Sequence, residues 1–116
     1  MNTQDKQYIE SLIRSIPDFP ERGVLFRDIT TALKDAKGLQ IILTDFINRY
    51  KNKDIDYVLG ADARGFIFGA AIAYAIGAGF VPARKPGKLP ADVVSASYDL
   101  EYGKNTIQIH KDAFHK

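Results

Sequence analysis

Apolar residues at Tyr8, Ile9, Leu12, Ile13 and Ile16 recur at the spacing of a helix, with Thr3 or Asp5 available to cap it and Pro17 to stop it. Pro17, Pro20 and Gly23 then interrupt regular structure, and Val24, Leu25 and Phe26 lead into a loop that carries Arg27 and Asp28. A second apolar stripe, Leu39, Ile42, Leu43, Phe46, Ile47 and Tyr50, predicts a helix from about Gly38 to Tyr50 whose role is packing. From Ile55 to Leu59 the pattern changes to the short apolar run of a buried strand. It enters the turn Gly60, Ala61, Asp62, Ala63, Arg64, Gly65 and then an Ala-rich helix. Gly69, Ala70, Ala73 and Gly77 are small enough for that helix to lie close on a sheet. Phe80 to Arg84 would return as a neighbouring parallel strand. Val93 to Tyr98 and the alternating Thr106 to His110 read as a hairpin joined through Glu101 to Lys104. The expected fold class is therefore α/β: a parallel sheet flanked by helices, plus a β-hairpin, in one domain spanning 1–116.

Composition changes this picture little. With 46% hydrophobic and 26% charged positions the chain has the balance of an ordinary soluble globular domain. A formal net charge of +2 is too small to argue for nucleic-acid binding, so any anion site must be local. The uncharged run from Gly65 to Ala83 is long enough in principle to span a bilayer. Gly77, Gly79 and Pro82 fit a helix followed by a strand better, and no membrane association is expected. The polar start, Met1 to Glu10, lacks the apolar stretch of a secretory signal, and cysteine is absent. Both features suit a cytoplasmic protein.

Chemistry is expected where parallel strands end, because helix N-termini there present N–H groups and a positive dipole end. Arg64 lies at such a place. The Gly60 to Gly65 turn spaces two glycines like a phosphate loop, but Phe66 stands where a P-loop needs lysine, so nucleotide-triphosphate hydrolysis is not supported. A turn with one guanidinium could hold a diphosphate; an ordinary surface arginine at a helix start is the alternative. The next strand ends in Arg84, Lys85, Pro86, Gly87, Lys88, Leu89 and Pro90, three cations in a turn stiffened by two prolines. Alone this reads equally as solvated loop charge; beside Arg64 it suggests one anion site. Glu101 and Tyr102, with Tyr98 and Asp99, give a carboxylate among aromatics, able to serve as acid or base or simply as a hairpin tip. His110 and His115 have no ligand-like spacing.

Taken together, IPDFPERGVLFRDIT, GADARGFIFGAAIA, FVPARKPGKLP and SYDLEYG resemble, in order and spacing, the signature regions of the adenine phosphoribosyltransferases, members of the type I phosphoribosyltransferase fold. The resemblance implies transfer of a 5-phosphoribosyl group from phosphoribosyl pyrophosphate to adenine, giving AMP and pyrophosphate with Mg²⁺ bound mainly through the pyrophosphate substrate. It implies an adenine pocket lined by Leu25, Phe26 and Arg27, with Phe26 stacking on the base. Asp62, Ala63 and Arg64 would form the pyrophosphate turn, with a cis peptide possible in the family at Asp62 and Ala63, and Arg84, Lys85 and Lys88 would stabilise the departing pyrophosphate. Glu101 would act as general acid/base and Tyr102 would close over the site on a hairpin flap. A cytoplasmic homodimer is the family expectation. The family continues past the position of Lys116 into a strand with two adjacent acids and a Thr/Gly-rich loop that hold the ribose phosphate. The chain is thus expected to be a truncated form of a longer enzyme. The competing reading is a noncatalytic purine- or pyrophosphate-binding, or dimerising, protein derived from the family.

Overall fold

A computed structural model describes residues 1–100 and 103–114. Their contacts gather into two compact units, Met1–Phe46 and Ile47–Lys116.

In the first unit, helix α1 (Thr3–Leu12) is capped by Asn2, whose side chain accepts the Asp5 N–H at 2.8 Å. The cap is thus Asn2, where Thr3 or Asp5 was expected. An asparagine oxygen placed there reaches the orphan N–H groups of the first turn. The helix also ends earlier than Pro17, because Ile13 is already extended. Arg14–Ile16 forms strand β1, antiparallel to β2 (Phe26–Asp28), with Ile16 opposite Phe26. This corrects two expectations: Ile16 belongs to a strand, and Arg27 and Asp28 lie on a strand where a loop was expected. Strands of three residues are too short for alternation to show, and pairing outweighs local pattern. A short helix α2 (Thr30–Leu33) follows, and then α3 (Ala36–Tyr50) as predicted. Asp35 accepts the Gly38 N–H at 2.9 Å and the Tyr8 hydroxyl at 2.7 Å, tying the start of α3 to α1.

The second unit is built on a strand, turn, helix, strand segment: β3 (Tyr57–Ala61), α4 (Arg64–Ile76) and β4 (Gly79–Ala83). The strands are parallel, with Tyr57 opposite Gly79 and Ala61 opposite Ala83, so they end level with each other. The core is small: Ile72 and Ala73 from α4 bury against Val81 and Ala83. Gly69 is required by close approach, since a Cβ there would lie 2.5 Å from the Phe80 ring. Two small residues do not pack as expected. Ala70 is exposed, and Gly77 ends the helix in the left-handed region at φ 78°, its N–H bonding the Ala73 carbonyl, a job that suits glycine. The outer face of α4 is open, with Ile67 and Tyr74 50% and 89% exposed. No helix among the described residues is long and apolar enough to cross a membrane.

Strands β5 (Val93–Leu100) and β6 (Gly103–His110) form the hairpin, paired from Val93 and His110 to Leu100 and Gly103. The first strand runs further than the expected Tyr98: Asp99 and Leu100 face Lys104 and Gly103 as strand partners. The α/β expectation is met, with a parallel pair in place of a broad sheet.

Candidate functional site

The anion turn is a backbone construction. At the end of β3, Gly60 and Gly65 touch so closely that a Cβ on Gly65 would lie 3.1 Å from the Gly60 carbonyl carbon. Between them the Asp62–Ala63 peptide is cis, and Asp62 N–H donates to the Ala83 carbonyl at 2.8 Å, carrying the parallel ladder one step past β3. Arg64 is the first residue of α4, so the turn opens at a helix N-terminus.

The basic turn after β4 is joined to this one. The Arg84 Nε donates to the Asp62 carboxylate at 3.3 Å, its guanidinium lies 5.7 Å from the centre of the Phe66 ring, and an Nη reaches the Lys88 carbonyl at 3.5 Å. Asp62 is well covered and Arg84 about one-third exposed. The turn closes through a Lys88 N–H to Lys85 carbonyl bond of 3.3 Å, with Gly87 at φ 82°. Lys85 and Lys88 are exposed. The expected convergence is therefore met for Asp62, Ala63, Arg64 and Arg84: level ends of adjacent strands bring them to one edge, with the Lys85–Lys88 turn following directly. Four cations there, Arg64, Arg84, Lys85 and Lys88, with one engaged carboxylate make an edge suited to an anion.

Gln108 is a residue that sequence reading passed over. Its backbone N–H and C=O both bond Arg84, at 2.7 and 2.8 Å, and its side chain accepts the Gly87 N–H at 3.3 Å. Alternation places Gln108 on one face with Thr106 and His110, but nothing in the local pattern names Arg84 as its partner.

The first unit holds the base-side candidates. Phe26 meets the edge of Phe19 at 5.1 Å between ring centres and an interplanar angle of 76°. Leu25 is 51% exposed, and Arg27 donates to the Ser15 hydroxyl across the strand pair. Asp28 anchors this ribbon. It is buried, pairs with Arg14 Nε at 2.6 Å, and accepts the Thr30 N–H and hydroxyl at 2.9 and 2.7 Å. The Thr30 hydroxyl and then the Thr30 N–H, followed by Arg14, hold its pKa down from 3.8 to about 2, against an opposing push from burial. A depressed carboxylate pKa contributes stability that is complete above the ordinary value and lost as protons are taken up. Unfolding midpoints should therefore fall between pH 3.8 and about 2, and Asp28→Asn should flatten that part of the profile. An unchanged acid limb would remove Asp28 from this role.

Glu101 and Tyr102, proposed from sequence as acid/base and cover, lie outside the described residues. Among the described residues no group of three or more His, Asp or Glu side chains is gathered to hold a metal ion.

No family model matches the chain. Over 105 residues it is 56% identical to the adenine phosphoribosyltransferase of Acaryochloris marina, an alignment that covers 90% of this chain and 62% of that one. The crystal structure of adenine phosphoribosyltransferase from Rhodothermus marinus superposes with a TM-score of 0.88 at 40% identity, covering 98% of this chain and 65% of that one. The APRTase of Giardia lamblia complexed with 9-deazaadenine superposes with a TM-score of 0.88 at 38% identity, covering 93% and 60%. The chain spans less than two thirds of the length of each of these relatives.

Proposed function

We propose, since this chain belongs to the adenine phosphoribosyltransferase family, that the whole protein transfers a 5-phosphoribosyl group from phosphoribosyl pyrophosphate to N9 of adenine. The bond from C1′ of the ribose to the pyrophosphate oxygen breaks, the bond from C1′ to N9 forms, and the N9 proton leaves. AMP and pyrophosphate are the products. The observation that carries the reading is the level ending of β3 and β4, which sets a turn opening at a helix N-terminus beside a run of three cations.

Each element then has a task. The Asp62–Ala63 backbone and Arg64 would grip the diphosphate, each charge-assisted hydrogen bond contributing about 1.5–3 kcal/mol. Arg84, now held by Asp62, would exchange that carboxylate for phosphate oxygens, and Lys85 and Lys88 would balance the charge that builds on the leaving group. Mg²⁺ would supply further charge neutralisation when carried in on the substrate, whose phosphate oxygens are hard ligands. On the base side Phe26 would stack against the purine. The backbone of Leu25, Phe26 and Arg27 would read the edge of the base. The 9-deazaadenine bound by the Giardia relative supports a base of adenine's outline. Glu101 would move the base proton and Tyr102 would help to exclude water that would otherwise hydrolyse the ribosyl cation-like transition state. The reading includes a homodimer working in the cytoplasm, with which a chain free of cysteine agrees.

The test is direct. Whole protein incubated with adenine, phosphoribosyl pyrophosphate and Mg²⁺ should yield AMP and pyrophosphate in equal amounts, with hypoxanthine and guanine far poorer acceptors. Binding of adenine or pyrophosphate by calorimetry with no AMP formed would replace this reading with the noncatalytic one.

A further inference from the structure

We propose that Gln108 is a positioning residue for the basic turn, holding Arg84 and Gly87 so that the Lys85–Lys88 segment keeps the shape in which it meets an anion. The inference rests on the pyrophosphate reading of that turn. Gln108 sits on β6, opposite Ser95 of β5, and its side-chain Nε2 donates to the Ser95 hydroxyl at 3.0 Å. With Nε2 committed to Ser95, the amide oxygen is turned toward the basic turn, where it accepts the Gly87 N–H at 3.3 Å. The backbone of the same residue exchanges two hydrogen bonds with Arg84, at 2.7 and 2.8 Å. One residue therefore grips the turn at its first position and at its left-handed glycine.

That placement matters because the turn's own ties are long ones. Pro86 has no N–H, the Lys88 N–H bonds the Lys85 carbonyl at 3.3 Å, and an Arg84 Nη reaches the Lys88 carbonyl at 3.5 Å. Lysine side chains are long and lose much rotamer freedom when they bind, so their reach depends on where the backbone starts them. The peptide plane between Pro86 and Gly87 sets the directions of the flanking Lys85 and Lys88, and the Gln108 oxygen holds that plane from outside the anion site. The proposed function gives Gln108 no contact with substrate, so its action is assigned to the turn.

The experiment uses whole protein carrying Gln108→Met, which keeps side-chain length while removing both amide bonds, and Ser95→Ala, which frees only Nε2. For Gln108→Met the KM for phosphoribosyl pyrophosphate should rise roughly three- to tenfold, the loss expected of one or two neutral hydrogen bonds, with kcat and the KM for adenine held within about twofold. Ser95→Ala should move the same constant in the same direction by about twofold. The exchange rate of the Gly87 amide, read by NMR, should increase in Gln108→Met. If Gln108→Met fails to fold, Ser95→Ala decides: an unchanged KM overturns the proposal. Equal rises in both KM values, or no change in either KM or Gly87 exchange, also overturn it. Wild-type protein that neither forms AMP nor binds pyrophosphate would sink the underlying reading and this inference together, whereas active wild type with unresponsive variants would sink this inference alone.

Discussion

Arg64→Ala in the whole protein should lower kcat/KM for phosphoribosyl pyrophosphate by roughly two to three orders of magnitude, the scale of losing one preorganised donor to a charge that develops in the transition state. Arg64 opens α4, where the turn from β3 delivers its backbone to the helix N-terminus. A guanidinium there adds a fork of donors to the field of the helix end, and in the proposed reaction both would strengthen as charge moves onto the leaving diphosphate. Arg64→Lys should recover only part of the loss, because a point charge cannot reproduce a two-pronged contact. The KM for adenine should stay near its wild-type value, since the base is proposed to bind at Phe26 and its neighbours and not at Arg64. Steady-state kinetics with each substrate varied in turn decides the matter: a fall of less than about threefold would leave Arg64 as an ordinary surface cation.

Gly60→Ala should be the most damaging single-methyl change in the second unit. A Cβ at Gly60 would lie 2.7 Å from the Phe80 ring and closer still to the Gly65 carbonyl oxygen. A ring can swing by a few tenths of an ångström, but the Gly65 oxygen belongs to the first turn of α4 and cannot retreat without moving the helix start. Overpacking of this kind costs about 1–3 kcal/mol, and here the strain would fall on the turn that carries Asp62, Ala63 and Arg64. Gly79→Ala, at the other end of the same strand pair, is the internal control. Its Cβ would meet the Tyr57 ring at 3.4 Å, an ordinary contact, so that variant should stay close to wild type or gain slightly from a less flexible unfolded chain. Urea unfolding of the two variants should separate them clearly. Equal midpoints would mean that the Gly60 turn is able to yield.

What sequence reading recovered follows physical lines. The strand, turn, helix, strand order from Tyr57 to Ala83 was legible because a run of small and apolar residues between glycines and prolines leaves few ways to fold. The hairpin was legible from alternation, and parallel neighbours whose ends coincide followed from that order, which is why Arg64 and Arg84 could be expected at one edge. The strand pair Arg14–Ile16 with Phe26–Asp28 was not, because each strand has three residues and is held by a partner strand distant in sequence, with the Arg14 to Asp28 ion pair across it. Gln108 escaped for the same reason: its neighbours along the chain are two isoleucines, and its partners are Arg84, Gly87 and Ser95. Residue type and period report what a segment buries, while side-chain hydrogen bonds between segments are set by a register that only the folded chain displays.

The contact between Gly69 and Phe80 constrains how this sequence could drift over generations. The ring occupies the space into which any side chain at position 69 would grow. Alanine at 69 thus becomes tolerable only after position 80 has shrunk to an aliphatic residue, while a shrunken 80 beside glycine leaves a void that is itself unfavourable. Either first step passes through a less stable intermediate. The two positions are coupled in space, and the pair should be inherited as a unit.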